Sequence, residues 1–183
     1  KNVIINSGAS GIDVDTAYLL QIEGNEILSV GTEGVLVGTN TYFIKVQSNK
    51  IHSPTTQGIN CYGDDHLIES NLIRGVPSGY YGIVVRSGVR ASVLSNIIQG
   101  DRGIAINSDM SNAKIRFNNL ENTTTKLVDN GSNTILEGNI GYRTENWGKA
   151  TISAGNTSIT VNHGLASTPK TVIVTPRADT RYW

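Results

Sequence analysis

The stretch Gly58-Ile59-Asn60-Cys61-Tyr62-Gly63-Asp64-Asp65-His66-Leu67-Ile68-Glu69-Ser70-Asn71-Leu72-Ile73 decides the fold, because its parts return along most of the chain. An Asn followed two residues later by an aliphatic recurs at Asn2-Val3-Ile4, Asn25-Glu26-Ile27, Asn49-Lys50-Ile51, Asn71-Leu72-Ile73, Asn96-Ile97-Ile98 and Asn118-Asn119-Leu120. A weaker seventh copy stands at Asn139, where Gly141 replaces the aliphatic. The intervals are 23, 24, 22, 25, 22 and 21 residues. A second mark keeps the same period: Gly11-Ile12, Gly34-Val35, Gly58-Ile59, Gly82-Ile83 and Gly103-Ile104. A shared period of this length is the signature of a stacked repeat.

Side chains alternate after each glycine. Ile12 and Val14, Val35 and Val37, Ile59 and Cys61, Ile83 and Val85, Ile104 and Ile106 face one way, with polar or mixed residues between them. A second short strand places Ile22, Val46, Ile68, Val93, Ile115 and Leu136 three residues before each Asn. The aliphatic after the Asn opens a third. One such coil cannot bury its apolar stripe, whereas stacked coils pair each strand in parallel with its equivalent, about 4.8 Å away. The Asn column is expected at a tight bend, where Asn tolerates the left-handed region and its amide bonds along the stack.

Composition agrees. The 183 residues include 19 Asn and 20 Gly, and the aliphatics are mainly Ile and Val, which suit strands. Fifteen basic and fifteen acidic residues cancel, which argues against a nucleic-acid partner held by bulk charge. No apolar run approaches the roughly 20 residues of a membrane helix, so no membrane insertion is expected. The single cysteine, Cys61, rules out an intrachain disulfide and falls on an inward slot. The chain starts at Lys1 without Met or signal peptide and is read as a piece of a longer or processed protein.

The two repeating marks resemble the right-handed parallel β-helix of the pectate-lyase-like superfamily over about residues 1–145. The repeat fades after Gly103-Ile104, and at Lys126-Leu127-Val128-Asp129 the glycine is lost and Asp129 falls on an inward slot. Residues 146–183 read as a second module, with a hairpin from Ala150-Thr151-Ile152-Ser153 through Ala154-Gly155-Asn156 to Thr157-Ser158-Ile159-Thr160-Val161, and a strand at Thr171-Val172-Ile173-Val174-Thr175-Pro176. Ile159-Thr160-Val161-Asn162-His163-Gly164-Leu165, Thr168-Pro169 and Val172-Ile173-Val174-Thr175-Pro176 resemble the small C-terminal β-sandwich module of phage tail-fibre and tailspike proteins. Further strands normally follow in that family, so the module is read as its N-terminal part only. The fold class expected is therefore all-β: a β-helix of coils of about 23 residues, then a small truncated β-sandwich-like module.

The polar cluster Tyr62-Gly63-Asp64-Asp65-His66 is the best candidate site. Equivalent offsets place Asp64 in column with Asn40, Gly88 and Asp109, Tyr62 with Asp15, Arg86 and Asn107, and His66 with Arg90. Carboxylates, an imidazole and guanidinium groups on one rim suit acid–base cleavage of a polysaccharide, with Asp64, Asp65, His66 and Arg86 as catalytic candidates. Without catalysis, the same rim suits glycan contact by Tyr62, Asp64, Asp65, Arg86 and Arg90, joined by Tyr80 and Tyr81 on the long connection from Arg74 to Gly82. Gly-Asp-Asp is equally ordinary solvated-turn chemistry, in which case loss of both carboxylates leaves folding intact. By resemblance to the superfamily's lyases, Arg86 or Arg90 beside Asp64 would be the base and Ca2+ the cofactor; otherwise no cofactor or metal is expected. The polygalacturonase motif set is absent from the sequence, and enzyme status stays open.

The phage resemblance implies a structural, receptor-binding tail component located on the virion or outside the cell. Its shaft would be a homotrimer that recognises host-surface polysaccharide and contacts other virion tail proteins. The alternative is a secreted or virion-borne polysaccharide lyase or glycoside hydrolase with its site on the β-helix face.

Overall fold

The computed structural model describes residues 1–143, 150–165, 168–169 and 171–175. Fifteen strands follow in order, and no helix occurs among the described residues. They are β1 (Val3–Ile5), β2 (Ile12–Tyr18), β3 (Gln21–Glu23), β4 (Glu26–Leu28), β5 (Val35–Tyr42), β6 (Lys45–Gln47), β7 (Lys50–His52) and β8 (Ile59–Cys61). Then come β9 (Leu67–Glu69), β10 (Leu72–Val89), β11 (Ser92–Leu94), β12 (Ile97–Ser111), β13 (Lys114–Arg116), β14 (Thr123–Asp129) and β15 (Ile135–Glu137).

All pairings between these strands are parallel and join equivalent positions of successive coils. One six-stranded sheet runs β3-β6-β9-β11-β13-β15 and forms one face. A nine-stranded sheet supplies the other two, because β10 and β12 each run through the corner between them without a break. The connection from Arg74 to Gly82, expected as a loop, is thus strand. Val76 faces Gly100 and Tyr81 faces Arg102, so Pro77–Tyr80 bulge outward against the single residue Asp101.

The inward ladders match the alternation. Val35, Val37, Ile59, Cys61, Ile83, Val85, Ile104 and Ile106 are fully buried, as are Ile27, Ile51, Ile73, Val46, Ile68, Val93 and Ile115. Each such aliphatic contributes about 1.5–3 kcal/mol relative to leaving it in water. The register glycines owe their place to this core and not to backbone freedom, since a Cβ on Gly11, Gly34 or Gly58 would sit 2.5 Å from Cγ2 of Ile27, Ile51 or Ile73. At the far end Asp129 does take the inward register opposite Ile106, yet it is exposed and accepts from Gly131 N and Thr134 Oγ1. A carboxylate there ends the apolar ladder.

The asparagines form a continuous amide ladder. Each backbone N and side-chain Nδ2 of Asn2, Asn25, Asn49, Asn71, Asn96 and Asn118 donates to Oδ1 of the Asn one coil on, at 2.9–3.2 Å, ending on Asn139. Asn25 to Asn139 are buried. One expectation is corrected: the left-handed residue is the one before the Asn. Gly24, Ser48, Ser70, Ser95, Phe117 and Gly138 take positive φ at this corner. That turn points the following amide inward, where a buried polar side chain must find partners. A second corner, between the Gly-led strands and the six-stranded face, places Leu19, Phe43, Asp65, Arg90, Asn112 and Asn133 at φ of 54–62°.

Beyond the coils, Ala154 and Gly155 form a turn closed by Asn156 N on Ser153 O at 3.0 Å. The flanking hairpin arms and Thr171–Thr175 make no strand among the described residues, and Ile152, Ile159, Val161, Val172, Ile173 and Val174 are exposed. A strand exists only through its ladder, and these segments have no strand partner within the described chain. Pro176 lies outside the described residues.

Candidate functional site

The connection from β8 to β9 carries Tyr62, Asp64, Asp65 and His66. Here the structure shifts the columns, because some coils hold one or two more residues than others. One residue separates Val14 from Thr16, but two separate Val37 from its partner Asn40. The next coil is shorter, with two residues between Cys61 and Asp64 against four between Val37 and Tyr42, so Asp64 bridges to Tyr42; Asp109 faces Ser87 and Gly88 faces Met110.

His66 does not stand on the rim with Arg90. It follows the left-handed residue Asp65, as Ile44 follows Phe43 and Ala91 follows Arg90, and like those two it is buried. A displacement of one residue along a strand moves a side chain to the opposite face. The backbone N–H of Ile44 donates to His66 Nδ1 at 3.1 Å, so the proton sits on Nε2 and is donated to Tyr62 O at 2.7 Å. Thr41 Oγ1 lies 3.2 Å from Nε2. Burial pushes the imidazole pKa below its ordinary value, against the Tyr62 carbonyl and the charges of Asp64 and Asp65, which raise it. The ring is a neutral brace for the corner.

The two aspartates are also committed. Asp64 Oδ1 accepts from Val89 N at 2.9 Å. Asp65 takes both Nε and Nη2 of Arg90 at 2.6 Å, a fork across two coils. The hydrogen bond from Arg90, despite slight desolvation, holds the Asp65 carboxyl below its usual range. Arg90 itself is exposed, so the pair contributes little to stability.

Tyr62 and Arg86 occupy the column expected for them. They follow the paired residues Cys61 and Val85, as Asp15 follows Val14 and Gly38 follows Val37. Arg86 Nε donates to Asn60 Oδ1 at 3.0 Å, Asn60 Nδ2 to Glu33 Oε1 at 3.2 Å, and Ser10 Oγ to Glu33 Oε2 at 3.3 Å. This polar chain crosses four coils on the outer face of the Gly-led strands. Because Gly38 has no side chain, a cleft of about 440 Å³ opens between Asp15 and Tyr62, bordered by Thr16, Glu33, Leu36, Thr39, Asn40 and Asn60. Tyr80 is exposed on the β10 bulge, and the Arg102 guanidinium lies 5.3 Å from the centre of the Tyr81 ring. The bulge is pinned by Gly79 N on Asp101 Oδ2 at 2.7 Å.

The structure thus separates the sequence candidates into a brace (Asp64, Asp65, His66, Arg90), a cleft edge (Tyr62, with Arg86 behind it) and a distinct bulge (Tyr80, Tyr81). The cleft residues Asp15, Glu33, Asn40 and Asn60 were not among the site candidates. Their one sequence signal is Gly38, a gap in a column of larger side chains. No group of three or more His, Cys, Asp or Glu side chains suited to a metal occurs among the described residues. A lyase's calcium does not fit Asp64 and Asp65, whose hydrogen bonds to Val89 N and Arg90 engage three of their four oxygens. Cys61 is buried at the core, and burial pushes its thiol pKa far up.

The family model for the right handed beta helix region matches residues 33–169, three-quarters of the chain. The chain belongs to the right-handed β-helix family. Its match covers the coils from β5 onward, including every strand that lines the cleft except β2. No curated protein and no solved structure matches this β-helix. Family membership accounts for the fold and leaves its chemistry to the side chains.

Proposed function

We propose that this β-helix is a receptor-binding shaft of a phage tailspike or tail fibre, which holds host-surface polysaccharide on its lateral face without cleaving it. The observation that carries the non-catalytic reading is the commitment of the acid–base candidates. Asp64 caps Val89 N, Asp65 is forked by Arg90, and His66 is buried with both ring nitrogens bonded. A general acid or base must be free to exchange a proton with substrate. Asp65 and His66 are not, and Asp64 keeps a single unengaged oxygen with neither of them free to act as its partner. What remains on the face is a polar cleft beside aromatic rings, the composition of a binding surface.

The phage assignment rests on the resemblance of residues 146–183 to the tail-fibre module. The exposed, unladdered strand formers Ile159, Val161, Val172, Ile173 and Val174 support assembly with further copies, as a homotrimer on the virion in contact with other tail proteins. Three weak sites then act together through effective concentration.

The test is to incubate the chain with surface polysaccharides of candidate hosts. Expected are a trimer by sedimentation equilibrium, retention of a polysaccharide, and unchanged polymer length. New reducing ends or unsaturated products would overturn the non-catalytic reading in favour of the depolymerase. A clean monomer would overturn the tail assignment.

A further inference from the structure

We infer that the saccharide site lies on β2 and β5, with the Gly38 cleft as one subsite and the Tyr18–Tyr42 pair as a second, and that it takes a neutral glycan, not a uronate. This inference rests on the glycan-binding reading above and specifies where and what. Thr16 pairs with Asn40, Ala17 with Thr41, and Tyr18 with Tyr42. Thr41 is buried and Ala17 is half-buried, so the residues on either side of them face outward. The two tyrosines therefore stand two positions beyond the cleft on the same side of the same strands, roughly 7 Å further along.

The tyrosines belong to an exposed apolar corner. Tyr18 is 66% exposed, Leu19 70%, Tyr42 44% and Phe43 43%. Phe43 packs edge-on against Tyr18, with ring centres 5.4 Å apart and planes at 78°. Leu19 and Phe43 hold positive φ of 58° and 56°, a conformation unfavourable for bulky residues. In the coils that follow, the same positions carry Asp65, Arg90, Asn112 and Asn133, so the aromatic surface is confined to the coils of β2 and β5, two of the three that border the cleft. Large exposed apolar surface held in a strained backbone marks a recognition site.

Chemistry narrows the occupant. A pyranose ring offers an apolar C–H face to an aromatic side chain and a rim of hydroxyls to amides and carboxylates. The cleft presents Asp15 and Asn40, with the Glu33 carboxylate beside them bonded to Asn60 and Ser10, and no Lys or Arg borders it among the described residues. Asp13 adds a third carboxylate on the same strand. The nearby guanidinium of Arg86, one coil beyond Tyr62, is bonded through Nε to Asn60. A uronate would meet like charge here, whereas neutral hydroxyls meet acceptors.

The test is binding of the chain to neutral and to uronate-bearing polysaccharides, presented side by side and then titrated as oligosaccharides by calorimetry. Neutral oligosaccharides are expected to bind at least about tenfold more tightly than oligogalacturonates. Tyr18→Ala and Tyr42→Ala each weaken that binding by about tenfold. Lys50→Ala, on another face, leaves it unchanged. Asp15→Asn with Glu33→Gln keeps the shape of the cleft and gains affinity for the uronate. Circular dichroism melting checks that each variant is folded, and Tyr42→Phe retains most of the binding if stacking is the contact.

Full binding by a folded Tyr18→Ala/Tyr42→Ala double variant would overturn the inference while the broader glycan reading stands. So would a preference for uronates. Loss of self-association in that variant with glycan binding intact would instead assign the corner to a second copy of the chain. A wild-type chain that retains no polysaccharide of either class removes the glycan reading and this site with it.

Discussion

His66 Nδ1 accepts the backbone N–H of Ile44 at 3.1 Å, one coil away, and protonation of that nitrogen breaks the bond. The native pKa lies below the ordinary 6.5 because the ring is buried. Below pH 6.5 the unfolded chain binds a proton that the folded one refuses, so stability falls as pH drops. Above pH 6.5 the contribution is fully present, and the loss ends at the lowered native value. The melting temperature is expected to decline as pH falls below about 6.5, and the decline to shrink in His66→Gln. An equal slope in both proteins would remove His66 as the titrating group.

Asn71 receives two bonds from Asn49 and gives three, to Val46 O and to Asn96 Oδ1. Asn71→Ala leaves the Asn49 backbone N–H buried without its acceptor and removes the bonds to Asn49 Nδ2, which keeps Ile22 O, and to the Val46 carbonyl, at a cost of about 1–3 kcal/mol in urea unfolding. Asn119→Ala, next to the ladder residue Asn118, removes only the exposed bond that its Oδ1 accepts from Glu121 N and costs less than about 1 kcal/mol.

Replacing Asp64 and Asp65 together with Ala is not neutral, as an exposed turn would suggest. Val89 N loses its acceptor and Arg90 its fork. About 1–3 kcal/mol of destabilisation is expected by chemical denaturation, with Asp64 responsible for most of it. A full cost carried by Asp65 alone would contradict the capping role of Asp64.

Cys61 is fully buried, and desolvation keeps its thiol protonated. A neutral-pH thiol reagent should label the native chain at the rate of unfolding, with prompt labelling in denaturant. Prompt labelling of the native chain would place Cys61 outside the core.

Much of this molecule was legible in order of residues. Asn2 to Asn139 and Gly11 to Gly103 gave the period, and alternation at pairs such as Ile59 and Cys61 gave the inward faces. The site was less legible, because a column read by counting fails wherever coils differ in length. Two more residues between Val37 and Tyr42 than between Cys61 and Asp64 moved Asp64 from Asn40 to Tyr42, and one position separated a rim histidine from a buried one.

The sequence by itself determined the stack, since a period and an alternation leave a single way to bury Ile and Val on every coil. Tertiary structure alone decided which polar groups are spent and which are free. Asp65 and Arg90 are twenty-five residues apart, as are Thr41 and His66, and only the register of neighbouring coils brings each pair into bonding distance. The cleft has the same origin. Gly38 is a gap only because Asp15 and Tyr62 stand on either side of it, one coil before and one coil after.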